Sequence, residues 1–212
     1  MSEYGFEDPQ SSADFLPIVK INCQSGRIVR VDRQQNADGM WDKTEVDISQ
    51  VFQFLPDFTH LEIGHIKIDD NGIDFHMQSF ADWSSAGRSR KPPAEGYRFG
   101  FRVPILLAKT CAKEPDDVRH LSHVGISVRE GISRIYADYQ QQMEQNPRGL
   151  LPLVKVTRFV HKQRGRFKNY EPEFEVIKWI ERPDVFDEAL APEVDEEPDI
   201  PPMDDDDDSL PF

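Results

Sequence analysis

The sequence predicts a mainly β protein with one helix, and three observations point there. Apolar and polar residues alternate with a period of two in several short stretches, most cleanly in Ile73-Asp74-Phe75-His76-Met77 and in Tyr97-Arg98-Phe99-Gly100-Phe101-Arg102-Val103. Turn signals containing glycine, such as Gln24-Ser25-Gly26 and Asp69-Asp70-Asn71-Gly72, punctuate these stretches. From Val118 to Met143 the apolar spacing changes to three and four, the period of an amphipathic helix.

Residues 1–14 are polar and acidic, with Pro9 and Ser11-Ser12, and predict a flexible leader to a domain spanning residues 15–183. Leu16–Cys23 and Arg27–Arg33 read as two strands around the first turn. In the second strand, Ile28 and Val31 face inward while Arg27, Arg30 and Arg33 point to solvent. Gln34–Lys43 reads as a loop ending in Met40-Trp41, followed by an apolar stretch of undetermined type that includes Val46, Ile48 and Val51–Leu55. Leu61, Ile63, Ile66 and Ile68, then Ile73–Met77, form the arms of a hairpin around Asp69–Gly72.

Ser79–Gly96 is a long polar loop that holds Trp83 and presents Arg88, Arg90 and Lys91. The strand Tyr97–Leu107 follows, with Tyr97, Phe99, Phe101 and Val103 on one face and Arg98 and Arg102 on the other. A helix is expected from Asp117 to Gln145, its first half weakened by Gly125 and Gly131. Leu151–Val160 and Phe174–Ile180 are two further strands joined by a basic connection, and Arg182-Pro183 closes the folded part.

The formal charge of −14 is unevenly placed. Thirteen of the 39 acidic residues lie from Asp184 onward, where no Lys or Arg occurs, so residues 1–183 hold 26 acidic against 25 basic side chains. Residues 184–212 therefore read as a disordered acidic tail on a nearly neutral domain. Two distant cysteines, Cys23 and Cys111, indicate neither a disulfide scaffold nor a cysteine metal site, and predict buried free thiols in a reducing cytoplasm. The start lacks the pattern of a signal peptide, and the apolar run Val103–Ala108 is too short to span a bilayer, so no membrane association is expected.

Between Glu144 and Glu171 there is no acidic residue, and this stretch carries Lys155, Arg158, Phe159, His161, Lys162, Arg164, Arg166, Phe167, Lys168 and Tyr170. Cations that follow a phosphate backbone, interleaved with rings that stack on bases, are what a single-stranded nucleic acid requires. The competing account is a packed hairpin with a solvated, charged connection. Arg98 and Arg102 with Tyr97, Phe99 and Phe101 form a second candidate surface, although alternation puts the rings, which are either core or base-stacking, on the face opposite the arginines; Arg88, Arg90 and Lys91 form a mobile phosphate-gripping loop. No phosphate loop, dinucleotide turn, nucleophile elbow or His-Glu-x-x-His motif occurs, and no cofactor is implied. His120 and His123, near Asp116 and Asp117, lack a fourth ligand and read as exposed histidines. Trp41 and Trp83 are either core residues or stacking platforms.

The last nine residues are Asp204-Asp205-Asp206-Asp207-Asp208-Ser209-Leu210-Pro211-Phe212. Five adjacent carboxylates cannot pack together, yet they lead into Leu210, Pro211 and Phe212. A shuffled chain of this composition would end in Pro-Phe roughly once in 200 tries. This segment resembles the acidic partner-docking tip of bacterial single-stranded DNA-binding proteins, and phage proteins of that function also carry acidic tails ending in an aromatic residue. The resemblance implies that Phe212 and Pro211, beside Leu210, anchor the tip in a partner's apolar pocket, with Asp204, Asp205, Asp206, Asp207 and Asp208 guiding it along a basic ridge. It also implies binding to single-stranded DNA during replication, recombination or repair, with replication or recombination proteins as partners, in host cytoplasm if the protein is phage-encoded.

An OB-fold-like β-barrel, with its helix between the third and fourth strands and with extra strands or insertions, accommodates the predicted order. A sandwich with a helix on one edge is also compatible. Residues 15–183 show none of the bacterial family's strand motifs, so a homo-oligomer other than its tetramer stays open. Two other functions are compatible with the sequence, an acidic inhibitor that mimics DNA and a metal-dependent nucleic-acid-processing enzyme.

Overall fold

A computed structural model describes residues 16–69, 72–85, 91–145, 149–164 and 167–191; of these, the side chains of 164, 167 and 168 are not described. The protein is mainly β, with one long helix. Strand β1 (Ile18–Asn22) buries Val19 and Ile21, and β2 (Arg27–Gln35) buries Ile28 and Val31. The intervening turn is held by Asn22, whose Oδ1 accepts from the N–H groups of Gln24 (2.9 Å) and Ser25 (3.1 Å), and Gly26 supplies the φ of 65° it requires. Strand β3 (Trp41–Asp47) pairs antiparallel with β2 although nearly all of it is exposed.

Strand β4 (Gln53–Pro56) is short and central, with Phe54 and Leu55 buried between neighbours on both sides. A 3-10 turn at Phe58–His60 leads to the hairpin of β5 (Glu62–Asp69) and β6 (Gly72–Ser79), which falls where the sequence places it. Helix α1 (Phe80–Ser85) begins what the sequence reads as loop; its Asp82 N–H bonds to Ser79 Oγ at 3.1 Å. Strand β7 (Arg98–Leu107) pairs with β4, β5 and β8 (Val118–His123).

Helix α2 runs from Ile126 to Gln145, so the helix expected from Asp117 starts nine residues later. Val118 and Leu121 satisfy a helical spacing, but they belong to a strand that pairs with β7 along its length. Gly131 lies inside α2 because the helix is pressed against the sheet: a Cβ there would stand 2.5 Å from the ring of Phe174. Strands β9 (Leu150–Arg164) and β10 (Phe167–Glu181) form one continuous hairpin, and the basic connection expected between two short strands is itself strand.

The chain then enters helix α3 (Val185–Leu190), which lies against β8 and whose Phe186 is fully buried. The folded part thus continues past Asp184, where the sequence reading begins the tail. Phe186, with Val185, Ala189 and Leu190 against the core and Asp187 bonded to Arg182, holds that turn of helix.

The ten strands form one sheet in the order β10-β9-β4-β7-β8-β1-β2-β3, with the β5–β6 hairpin attached to β7. Among the described residues only β1 and β8 pair in parallel. The ends of the path, β10 and β3, do not pair, so the closed barrel expected from the sequence is not formed among the described residues. The sheet does coil far enough for the N–H of Tyr170, near the start of β10, to donate to the carbonyl of Cys23 just beyond β1 (2.7 Å). One such bond marks close approach without a ladder. The core lies between the coiled sheet and α2, whose Val128, Ile132, Ile135 and Tyr139 are buried.

Candidate nucleic-acid interface

The β9–β10 register decides what the basic strip presents. Directly paired residues of an antiparallel ladder share a face. Lys155 lies opposite Glu175, Arg158 opposite Glu173, and Val160 opposite Glu171, with a bulge between the first two pairs. Arg158 Nε donates to Glu173 Oε2 at 2.6 Å, and Lys162 Nζ lies 2.5 Å from Glu171 Oε2. Beside Glu173 the carboxylate holds Arg158 above its ordinary pKa, and the guanidinium holds Glu173 below. A stretch free of acids along the chain is therefore laced with glutamates across the hairpin.

The other face carries Phe159 opposite Pro172 and His161 opposite Tyr170. Phe159 packs against the core, and Tyr170 packs its ring on Gly26, 5.3 Å from the His161 ring. Among the described side chains, Arg158 and Lys162 thus point to the face opposite Phe159 and Tyr170. Arg166 lies outside the described residues, and of Arg164, Phe167 and Lys168 only the backbone is described.

The other cations divide similarly. Arg102 is ion-paired with Glu62 and stacks over Phe75 at 4.8 Å, which makes it a structural residue. Arg98 and Lys91 are exposed and form no ion pair among the described residues; Arg88 and Arg90 lie outside them. Arg30, expected in solvent, is instead half-buried. Its guanidinium clamps Asp32 through Nε (3.0 Å) and Nη2 (2.9 Å) and donates from Nη1 to the carbonyl of Cys111 (2.8 Å). Buried Arg119 binds the same Asp32 (2.8 Å), Asp117 (2.7 Å) and the carbonyl of Val31 (2.8 Å), tying β8 to β2. These arginines hold the fold and offer little to a phosphate.

His120 and His123 are not the exposed histidines the sequence suggests. Burial pushes the His120 imidazole down to about 4, helped by Arg102 and opposed by Glu62. His123 Nδ1 accepts from the N–H of Gly125 (2.8 Å), so Nε2 carries the proton and donates to the carbonyl of Ile21 (3.1 Å). Both imidazoles are neutral near pH 7, and among the described residues no group of His, Cys, Asp or Glu is arranged to hold a metal ion. Of the two thiols, Cys111 is buried and Cys23 half-buried, both are free, and burial pushes Cys23 up to about 11. No helix among the described residues is long and apolar enough to cross a membrane.

The structure also brings Phe99, Phe101 and Trp83, which the sequence offers as core or stacking residues, together with Arg129 of α2, which the sequence reading does not single out. Between β5, β7, α1 and the start of α2 lies a half-open recess of about 310 Å³. Its walls include Ile63, Phe80, Phe99, Phe101, Ile132 and Tyr136, with Arg129 on the same lining. Phe99 is 36% exposed, with the Trp83 ring 5.5 Å away at 38° and buried His65 edge-on to both rings. The Arg129 guanidinium sits 4.9 Å over the Phe99 ring, and its Nε is buried with no hydrogen-bond partner. Desolvation holds Arg129 below its ordinary pKa, with Glu130 opposing. Arg129, Ile132 and Tyr136 follow the spacing of three and four, so a cation on the apolar stripe was the readable signal. Trp41, 61% exposed, shares a sheet face with Arg33 and Lys43 at the end of β2–β3 and is no core residue.

The segment from Asp204 to Phe212 lies outside the described residues. No family model, curated protein or solved structure matches the chain.

Proposed function

We propose that the protein binds single-stranded DNA without catalysis and with little sequence preference, and that the segment Asp204–Phe212 recruits replication, recombination or repair enzymes to it. The observation that carries this reading is the segregation along the chain: five consecutive Asp, then Leu210, Pro211 and Phe212, in a region with no Lys or Arg. Carboxylates with an apolar anchor suit a basic partner surface with a pocket.

The connectivity supports it as well. Taken in chain order, β4, β7, β8, α2, β9 and β10 run strand, strand, strand, helix, strand, strand, the order of an OB-fold. Strand β4 pairs with both β7 and β9, and β7 with β8, as in that five-stranded barrel, while β1 occupies the position beside β8 where the last strand would close it. On this reading the β5–β6 hairpin is an insertion between the first two barrel strands. Exposed Arg98 and Lys91 supply cations without acidic partners among the described residues.

A second reading, an acidic protein that mimics DNA, is favoured by the thirteen carboxylates from Asp184 onward, where no Lys or Arg occurs. Electrophoretic shift of single- and double-stranded oligonucleotides, with the full chain and with residues 204–212 deleted, separates the two. Single-strand binding by both proteins, unaffected by magnesium and without cleavage, is expected, with partner capture lost on deletion. Absence of binding by both would favour the mimic, and magnesium-dependent cleavage would make the protein an enzyme.

A further inference from the structure

We infer that the recess beside Phe99 is a subsite for one unpaired nucleobase of a bound single strand, an inference that rests on the single-strand reading above. Its volume, about 310 Å³, is at the lower end of the range for small-ligand pockets and suits one flat ring system. The walls are apolar, and the Phe99 ring is available at the opening, with Trp83 extending the aromatic surface. Every base has a π-face that such a surface can hold without reading its identity.

Arg129 separates a base from an aliphatic or aromatic hydrocarbon side chain. Its Nε–H is buried without an acceptor, a condition that costs free energy until an acceptor arrives. An apolar side chain in the recess would bring Arg129, which lies on the lining, no acceptor. A nucleobase brings ring nitrogens and carbonyl oxygens that accept, and a planar edge that a guanidinium matches. Glu130 and Ser133, also on the lining, offer acceptors to a base's amino or imino hydrogens.

The electrostatics fit a strand entering here. Arg98 and Arg129 both lie close enough to His123 to lower its pKa, after burial and against its two backbone hydrogen bonds, and neither arginine is ion-paired among the described residues. His123 is neutral and internally satisfied, so it does not compete for the ligand. Glu130 is the one carboxylate on the lining among the described residues, which favours placing the base inside and the phosphates out in solvent. A duplex cannot use the recess without extruding a base.

The test uses the full chain and two labelled oligonucleotides of equal length, one of deoxyadenosine and one abasic, followed by fluorescence anisotropy. Wild-type protein should bind the first about tenfold more tightly, with quenching of tryptophan emission. Phe99→Leu, which keeps apolar volume at a partly exposed position, and Arg129→Gln should bind both strands with the abasic affinity while melting as wild type does. If Phe99→Leu and Arg129→Gln keep the full preference, the subsite is overturned and single-strand binding survives. If the wild type binds neither strand, the single-strand reading fails and takes the subsite with it. Free deoxyadenosine monophosphate binding as tightly as the strand would overturn the strand subsite in favour of a nucleotide pocket.

Discussion

Asp57 shows how much of this fold depends on one side chain. Its carboxylate is fully buried and accepts from Arg182 Nη2 (2.8 Å) and Nε (3.2 Å), from Thr59 Oγ1 (2.6 Å) and N–H (3.1 Å), and from His60 Nδ1 (2.8 Å). The same residue thereby joins the turn after β4 to the end of β10, while Arg182 reaches on to Asp187 of α3 at 2.7 Å. Burial alone would raise its pKa, but the bonds from Arg182, Thr59 and His60 outweigh it and hold the carboxyl below its ordinary 3.8. A depressed folded value contributes stability above 3.8 that disappears as pH falls through the depressed value. Replacing Asp57 by Ala removes the buried partner of Arg182, which keeps only exposed Asp187, and should cost about 3 kcal/mol in urea unfolding at pH 7. The cost should shrink below pH 3.8, because the wild type then loses the same interactions. A variant as stable as wild type at pH 7 would show that the cluster adds nothing to the fold.

At the scale of elements, legibility follows how much of each one's stability is local. The β5–β6 hairpin has alternation and a turn on consecutive residues, and both were readable. Strand β3 has no apolar alternation; it forms because β2 offers a ladder, information held elsewhere in the chain. Strand β8 reads as helix because Val118 and Leu121, three apart, fit the helical period; in the strand they lie on opposite faces and are both buried, and pairing with β7 fixes the strand. The aromatic recess gathers residues from four elements, and the glutamates opposite Arg158 and Lys162 come from the far arm of a hairpin. Neither arrangement is visible without the register.

That register gives the hairpin a measurable consequence. Glu173 is exposed and paired to Arg158, so replacing it by Gln frees one guanidinium on the outer face at little structural risk. If a strand crosses that face, Glu173→Gln should raise affinity severalfold at low salt. The dependence of binding on salt should steepen by about 0.7 in log–log slope, the increment for one more phosphate contact on a single strand. Adding Arg158→Gln should remove the gain. Unchanged affinity in the single variant would leave this face outside the path of the strand.

For the whole molecule, α3 changes the charge distribution from which the function was read. Ten of the 39 acidic residues follow Ala191, leaving 29 against 25 basic ones in residues 1–191, a net −4 where the sequence boundary gave −1. A domain of that charge has no global pull on DNA, so the proposed single-strand binding rests on local features such as the recess and the arginines without ion pairs among the described residues. Competition from the ten remaining carboxylates is then significant, because the chain keeps them at high effective concentration near any basic patch. Screening gives the test its shape: the Debye length is about 30 Å at 0.01 M salt and about 3 Å at 1 M. Deleting residues 204–212 should tighten single-strand binding about tenfold at the lower salt, and the two proteins should converge as salt rises. Parallel curves at every salt concentration would mean that the acidic segment never competes for the strand, and that its carboxylates act on partners alone.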